Sequence, residues 1–258
     1  MQKLIAGAAF AATLSLTLVP ATATAPVASA QLPTASVAQP QAVPMPVQAP
    51  VTASATTAAV PIHVDNHSHD EVPNVAPGQA RADFNAWLAR APENREAVRA
   101  FRAHLRANGV DDVVPVWQLV RTSSSWRDCA AGRFEVAPRD KWDNIVKTLA
   151  FIKTDVIPAV GPVQAVSGYR NEDLNRCSNG APASAHRNFF ALDLVPVSAD
   201  VSRGELIREV CAAHARDGRS YATGLGFYSG VRFHIDSSGF RRWGPDGSGA
   251  TSPCVTMA

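Results

Sequence analysis

The distribution of charged residues constrains the folding of this chain more than any other feature. Of its 24 Lys and Arg and 22 Asp and Glu residues, Lys3 alone comes before Asp65. A segment without charges cannot form the polar surface of a globular domain, whereas the rest of the chain has a charge density near the globular norm. We therefore expect a single folded domain that begins near Pro77, behind an uncharged leader.

The first part of the leader has the pattern of an export signal. An apolar run from Leu4 to Val19 follows Lys3 and is shorter than the ~20 residues that a membrane-spanning helix needs. A small-x-small cleavage pattern ends at Ala30, and an earlier one ends at Ala23. The sequence predicts a signal peptide over residues 1–30 and hence a periplasmic or secreted protein. An uncleaved N-terminal membrane anchor is the alternative.

The second part of the leader, residues 31–76, has the composition of a disordered linker. The stretch from Pro20 to Pro61 is rich in Pro, Ala, Val, Thr, Ser and Gln and has no aromatic residue. Such a composition cannot close a hydrophobic core and favours extended, partly polyproline structure. We interpret the His-rich, acidic stretch from His63 to Glu71 as solvated polar chain rather than a rigid metal site.

Hydrophobic periodicity predicts helices in the first half of the domain and strands in the second. Apolar residues recur every three or four positions in three segments, which are 79–90, 94–108 and 138–157. Short apolar or β-branched runs follow at 163–166, 191–197 and 231–235, with a helix at 203–216 between the last two. This order predicts an α+β fold with a small, mostly antiparallel sheet, packed helices and an N-terminal helical cap at residues 77–125.

The cysteine count and the net charge exclude some classes of protein. The four cysteines, Cys129, Cys177, Cys211 and Cys254, show no CxxC zinc spacing, and an even number in an exported chain favours disulfides. We expect two bridges, in one of three possible pairings. A net charge of +2 indicates neither nucleic-acid binding nor a polybasic membrane surface, and we expect a monomer.

One group of residues points to a metal site. Asp193 interrupts an apolar strand segment, where a buried carboxylate needs a partner. The period of two in the later strand places Val231, Phe233 and Ile235 on one face and Arg232, His234 and Asp236 on the other. Two adjacent strands can thus aim Asp193 and His234 at one point, and His186 can supply a third ligand from the loop before the first strand. Three such ligands leave one tetrahedral position of a zinc ion free for water, as in catalytic sites.

The same residues carry a resemblance to a known family. The motifs Ser167-Gly168-Tyr169-Arg170, then Ser184-x-His186 with Asp193 seven residues on, then His234-x-Asp236 with Arg242-Trp243, occur in this order. They resemble the zinc D-alanyl-D-alanine carboxypeptidase family, which includes vancomycin-resistance D,D-dipeptidases and phage L-alanyl-D-glutamate endolysins and is related in fold to the hedgehog domain. The resemblance covers residues 126–243, and we expect a zinc peptidase domain over residues 126–258.

The resemblance also implies roles for single residues. It makes His186, Asp193 and His234 the zinc ligands and Arg170 the arginine that holds the carbonyl or carboxylate of the substrate. A fixed guanidinium beside a metal can stabilise the oxyanion that forms when water attacks a peptide carbonyl. By the same analogy Ser184 contacts substrate, although a turn or cap residue would explain it equally well.

One departure from the family pattern concerns proton transfer. Active members often carry Glu three residues, or His two residues, before the last zinc histidine, where this chain has Val231 and Arg232. A guanidinium cannot take up a proton near neutral pH. Asp236 is therefore the first candidate for the catalytic acid or base. Its alternative role is to orient a zinc-binding histidine. The next candidates are Glu172 and Asp173.

Three functional hypotheses follow. The favoured one is a zinc-dependent D-alanyl-D-alanine carboxypeptidase whose substrate partner is the peptidoglycan stem peptide. The second is an endopeptidase that cuts L-alanyl-D-glutamate bonds or cross-bridges. The third is a zinc-stabilised wall-binding module without catalytic activity, which the missing Glu and His favour.

Overall fold

A computed structural model describes residues 75–257 of the chain. The predicted signal peptide, the predicted linker as far as residue 74 and the His-rich stretch lie outside the described residues. Within residues 75–257, every helix is too short or too polar to cross a membrane.

The described residues form an α+β domain, as the sequence predicts. The helices are α1 (Arg81–Arg90), α2 (Pro92–Ala107), α3 (Val116–Leu119), α4 (Trp142–Phe151), α5 (Ile157–Val160), α6 (Glu172–Cys177), α7 (Arg203–Asp217) and α8 (Pro253–Thr256). The strands are β1 (Val163–Ser167), β2 (Ala191–Pro196), β3 (Gly224–Phe227), β4 (Phe233–Asp236) and β5 (Arg241–Trp243). Short 3₁₀ helices cover Arg139–Lys141 and Ala185–Asn188, and a π-helical turn covers Ile152–Val156.

The five strands form one sheet in the order β1-β2-β4-β3-β5. All neighbouring strands are antiparallel except β3 and β5, which run parallel. The predicted mostly antiparallel sheet is thus confirmed. Strand β3 lies between β4 and β5, although its sequence, Gly-Leu-Gly-Phe, lacks the strand pattern and was not predicted.

The two faces of the sheet have different chemistry. On one face Leu192, Leu194, Phe233 and Ile235 are fully buried in the hydrophobic core, and α4 packs against β2 and β4 there. The opposite face carries the polar side chains of these two strands. The alternation predicted for β4 is confirmed, because successive strand residues point to opposite faces.

The N-terminal helices belong to the same core. Phe101 and Leu105 of α2 are almost completely buried, and the ring of Phe84 in α1 meets the ring of Phe134 edge-on, with centroids 5.6 Å apart. The buried guanidinium of Arg121 donates hydrogen bonds to the carbonyl oxygens of Gln79 (2.9 Å) and Ala165 (2.7 Å). The helical region at residues 77–125 is therefore continuous with the sheet domain through shared packing.

Two disulfides connect distant parts of the domain, as expected from the even number of cysteines. Cys129 pairs with Cys177 at the end of α6, and Cys211 of α7 pairs with Cys254 of α8. The first bridge fixes α6, which begins two residues after Arg170. The pairing that the sequence left open is thereby resolved.

Candidate metal centre

The polar face of the sheet brings two predicted ligands together. Asp193 of β2 and His234 of β4 are direct partners in the antiparallel ladder, and Asp193 Oδ1 lies 3.1 Å from His234 Nδ1. Both residues are at least 95 % buried. The alternation of the strands therefore has the predicted result, which is a carboxylate and an imidazole aimed at one point.

The third predicted ligand comes from the 3₁₀ helix Ala185–Asn188. His186 Nδ1 lies 2.7 Å from the carbonyl oxygen of Gly168 and must carry a proton to donate to it. Its Nε2 then has a free lone pair and lies 3.2 Å from both Asp193 Oδ1 and His234 Nδ1. His186 is held by the Gly168 backbone, which belongs to the Ser167-Gly168-Tyr169-Arg170 motif.

The donor atoms of these three residues have the spacing of zinc ligands. Zinc bonds of about 2.0–2.2 Å at tetrahedral angles put neighbouring donors about 3.3 Å apart. The three distances in this cluster are 3.1–3.2 Å. Because His234 Nε2 donates to Asp236 Oδ2 at 3.0 Å, His234 Nδ1 also presents a lone pair. Two nitrogen lone pairs and a carboxylate oxygen repel one another unless a cation lies between them, so the residues fit a divalent metal.

The carboxylate of Asp193 has a second set of partners. Its Oδ2 accepts hydrogen bonds from Arg170 Nη2 at 2.6 Å and from Arg232 Nη2 at 2.7 Å, while its Oδ1 accepts one from the Tyr228 hydroxyl at 3.0 Å. Burial raises the pKa of Asp193, but the neighbouring His186, the Arg170 guanidinium and the adjacent His234 outweigh it and hold the pKa well below its usual range. Asp193 is therefore an anion at neutral pH.

The two histidines differ in their electrostatic surroundings. Burial, together with the positive charge of Arg170, lowers the pKa of His186 to about 4. For His234, burial lowers the pKa, but the neighbouring carboxylates of Asp193 and Asp236 outweigh it and raise the pKa above its ordinary value. His186 is thus neutral at neutral pH, the state in which imidazole binds metals.

Arg170 lies where the motif predicts it, but its guanidinium faces the carboxylate of Asp193. Ser167 Oγ accepts hydrogen bonds from Arg170 Nε (3.0 Å) and Nη2 (2.9 Å) and donates one to the carbonyl oxygen of Thr122 (2.6 Å). Within residues 75–257 the Nη1 group of Arg170 has no hydrogen-bond partner. That nitrogen is the part of Arg170 that can contact a substrate.

A bulge in β1 makes this contact possible. Ala165 pairs with Leu194 and Ser167 pairs with Asp193, so two residues of β1 advance for one of β2. The extra residue turns Ser167 onto the polar face of the sheet. The predicted strand ended at residue 166 and did not include it.

The geometry of Asp236 fits its alternative role better than proton transfer. Its Oδ2 accepts from His234 Nε2 and from Arg241 Nη2, and its Oδ1 accepts from Ser238 and from Arg241 Nη1. Asp236 is fully buried behind the ring of His234, on the side away from the other two ligands. A carboxylate placed there fixes the tautomer and direction of a metal-binding histidine. Its predicted role as catalytic acid or base has no geometric support.

The remaining candidates lie farther out. Ser184 is half-buried directly before the 3₁₀ helix that carries His186, and its side chain does not cap that helix. Glu172 forms an ion pair with Arg187, and Asp173 forms one with Arg176, both at exposed positions of α6. The two acids that the sequence analysis named as the next candidates for the base are therefore engaged in ion pairs.

Tyr228 and Arg232 are site residues that sequence reasoning missed. Arg232 was noted only as a departure from the family pattern, and Tyr228 stands in the loop between β3 and β4 without a motif of its own. The place of Arg232 on the same strand face as His234 was the available signal. Tyr228 offered none, because its position depends on the course of that loop.

Two glycines of β3 complete the site. Gly226 is paired with His234, and an added Cβ would lie 2.4 Å from the ring of Trp243; Gly224 is paired with Asp236, and a Cβ would lie 2.3 Å from its Oδ2. The Trp243 ring packs edge-on against the ring of His234, with centroids 5.0 Å apart. Because these two glycines have no side chains, β3 leaves space for the groups that hold His234.

Comparison with known proteins finds a family model over the segment that contains this site. The model of the Peptidase M15 family matches residues 121–236, a segment that contains the three donor residues and Arg170. The resemblance noted in the sequence is thereby confirmed. No curated protein and no solved structure gives a significant match.

Proposed function

Residues 121–236 belong to the Peptidase M15 family of zinc metallopeptidases, and from this premise we propose that the chain removes the terminal D-alanine from peptidoglycan stem peptides. The observation that carries the proposal is the cluster of His186, Asp193 and His234, with donor atoms 3.1–3.2 Å apart beside a buried arginine. Three donors rather than four correspond to a catalytic and not a structural zinc site.

The chemistry divides between the ion and the protein. A zinc ion held by these residues supplies a Lewis acid for a peptide carbonyl and makes a water molecule nucleophilic near neutral pH. Arg170 can donate from Nη1 to the carbonyl oxygen, whose negative charge grows during the attack. Because Ser167 and Asp193 already fix this guanidinium, it needs no reorganisation during the reaction.

The Tyr228 hydroxyl serves as a hydrogen-bond donor to Asp193 Oδ1. Burial and the negative charge of Asp193 raise the pKa of Tyr228, so the phenol stays protonated at physiological pH. Within residues 75–257, the carboxylates that contact the two ligand histidines are those of Asp193, itself a ligand, and Asp236. Both are fully hydrogen-bonded. We therefore propose that a water molecule, rather than either carboxylate, carries the proton to the leaving amine.

The location of the activity is also a proposal. We place the chain outside the cytoplasm, in the periplasm or secreted, as a monomer. Both disulfides support the location outside the cytoplasm, because such bonds persist in oxidising compartments.

Product analysis tests the proposal. The purified, zinc-loaded protein is incubated with a muropeptide pentapeptide, beside a chelated sample and the Arg170→Ala variant. We expect loss of one terminal D-alanine that requires both zinc and Arg170. An internal cut would select the endopeptidase instead, and no turnover by a folded, zinc-containing protein would favour a wall-binding module.

A further inference from the structure

Arg232 lies at the metal centre but is not explained by metal binding. Its Nη2 donates to Asp193 Oδ2 at 2.7 Å and its Nη1 donates to Ser124 Oγ at 3.0 Å. The side chain is 23 % exposed, compared with 10 % for Arg170. Arg232 therefore lies on the solvent side of the cluster.

Asp193 does not need a second arginine. The same Oδ2 atom already accepts a 2.6 Å hydrogen bond from Arg170, so Arg232 adds a second positive charge to an oxygen that is already paired. Within residues 75–257, the guanidinium groups of Arg170 and Arg232 form ion pairs with Asp193 and with no other carboxylate. One carboxylate thus faces two guanidinium groups and, when zinc is bound, a divalent cation. Such a site has a net positive charge and attracts an anionic substrate group.

The guanidinium of Arg232 keeps donors for such a group. Of its five N–H bonds, two are used by Asp193 and Ser124, and that of Nε is buried without a partner within the described residues. One N–H on each Nη group is left for such a group. The ring of Tyr228 lies beneath it, with the guanidinium carbon 5.2 Å from the ring centroid. Tyr228 is 40 % exposed, so the pair forms a positively charged wall that borders the solvent. A planar guanidinium supported in this way is suited to binding a carboxylate.

The distances suit the end of a peptide chain. In an extended peptide, equivalent atoms of neighbouring residues lie about 3.5 Å apart, so a terminal carboxylate lies that far from the carbonyl of the preceding residue. Arg232 is one hydrogen bond away from a metal ligand, as is Arg170. If Arg170 contacts the carbonyl that is attacked, Arg232 is within reach of the next group along the chain.

Resting on the proposed function, we propose that Arg232, supported by Tyr228, binds the C-terminal carboxylate of the substrate and so restricts the enzyme to peptides with a free C-terminus. Arg232 is then a specificity-determining residue. This arginine, at the position of the His in the family resemblance, selects an exopeptidase reaction over an internal cut.

A matched pair of substrates tests this proposal. One is an acyl-D-alanyl-D-alanine peptide with a free carboxylate, and the other is the same peptide as its C-terminal amide. We expect zinc-loaded wild-type protein to cleave the acid with a kcat/KM about 10- to 100-fold higher than that for the amide, because a charged hydrogen bond is lost in the amide. A second pair, in which a methylene-amine replaces the scissile amide, cannot be cleaved and reports binding alone.

The Arg232→Gln variant supplies the comparison. We expect its kcat/KM for the acid to fall about 10- to 100-fold and that for the amide to change less than about threefold, so that the preference disappears. Arg208→Gln makes the same charge change on the exposed face of α7 and should keep the wild-type preference. Arg232→Lys retains the charge without the planar fork and should keep part of it.

Several outcomes would overturn the proposal. Equal cleavage of acid and amide by the wild type is one. An Arg232→Gln variant that loses the same factor on both substrates is another, because Arg232 would then act only by positioning Asp193. If Arg232→Gln loses its zinc, Arg232→Lys with full zinc content must show a reduced preference, or the proposal fails.

The proposed function can fail separately. If zinc-loaded wild type cleaves neither peptide, the D-alanyl-D-alanine carboxypeptidase assignment is wrong. The non-cleavable pair then decides on Arg232: tighter binding of the acid that is lost in Arg232→Gln supports carboxylate recognition, and equal binding of acid and amide contradicts it.

Discussion

Ser167 lies directly opposite Asp193 in the β1–β2 ladder because one residue of β1 bulges out between Ala165 and Ser167. From this position its hydroxyl receives two hydrogen bonds from Arg170, whose Nη2 also binds Asp193. A single irregularity in an edge strand therefore connects a metal ligand with the substrate-binding arginine proposed above.

The Ser167→Ala variant should separate the position of Arg170 from metal binding. Without the acceptor, the guanidinium loses two of its three hydrogen bonds and its fixed direction, while the three metal ligands stay intact. We expect kcat to fall at least about 10-fold with unchanged zinc content, and a loss of about 1–3 kcal/mol in unfolding free energy. Steady-state kinetics, metal analysis and urea unfolding measure these quantities. Ser198→Ala at an exposed position is the control.

Replacement of a ligand should remove the metal. We expect His186→Ala and His234→Ala to retain much less than one zinc per chain after dialysis, because two donors hold zinc poorly. His104→Ala, on α2, should retain the wild-type amount. Atomic emission analysis of dialysed protein measures the ratio. Full zinc occupancy in both ligand variants would refute the assignment of the metal centre.

Asp236→Asn tests the orienting role of that carboxylate. An amide at this position no longer provides an anion for His234 Nε2 or for Arg241. We expect zinc affinity to fall about 10- to 100-fold, the range found for groups that orient metal-binding histidines. Competition with a chelator of known affinity measures it. If Asp236 were instead the proton-transfer group, affinity would stay unchanged while turnover disappeared.

Gly226→Ala should disturb the support of His234. The new methyl group would meet the Trp243 ring at 2.4 Å, so the ring must move away from the histidine that it packs against. We expect a loss of about 1–3 kcal/mol in unfolding free energy and weaker zinc binding. Gly204→Ala, in the first turn of α7 with open space around it, should cause no loss. Equal stability of the two variants would contradict the close packing.

His214 should make the stability of the domain depend on pH. Its Nε2 lies 2.9 Å from the carbonyl oxygen of Thr223, its ring stacks on Phe240, and the charges of Arg242 and Asp236 act on its pKa. Burial lowers the pKa of His214 below the ordinary 6.5, so below about pH 6.5 the unfolded chain takes up a proton that the folded chain does not. Stability is then full above this pH and decreases as the pH falls towards the lower folded value.

Urea unfolding at a series of pH values, compared between wild type and His214→Gln, isolates this contribution. The difference in unfolding free energy between the two proteins should shrink as the pH falls from 7 to 5. A constant difference over this range would show that His214 takes up its proton equally in both states.

The sequence predicts two of the three donor residues, His234 and Asp193, from two regular patterns, and His186 from the loop before β2 and the motif of the family resemblance. Alternation in a strand places His234 on the polar face, and an acid in an apolar run must face a partner. Strand β3 is not predicted because half of its residues are glycines. Glycine is needed at these positions because Trp243 and Asp236 on the neighbouring strands occupy the space of a side chain. The bulge before Ser167 is not predicted for a similar reason, since pairing with β2 creates it. Local periodicity thus predicts Asp193 and His234 as candidate ligands, and the groups that support them follow from contacts between distant segments.

The buried guanidinium of Arg121 has a consequence for the extent of the domain. The family match begins at this residue, yet one of its two backbone acceptors, the Gln79 carbonyl, lies 42 positions earlier in the chain. A truncation at the recognisable boundary would leave a buried cation without one of its acceptors and would expose the surface that α1 and α2 cover. The minimal folding unit is therefore larger than the homologous segment. The helices before this segment therefore support β1, the strand that carries Ser167 and through it holds Arg170 in place.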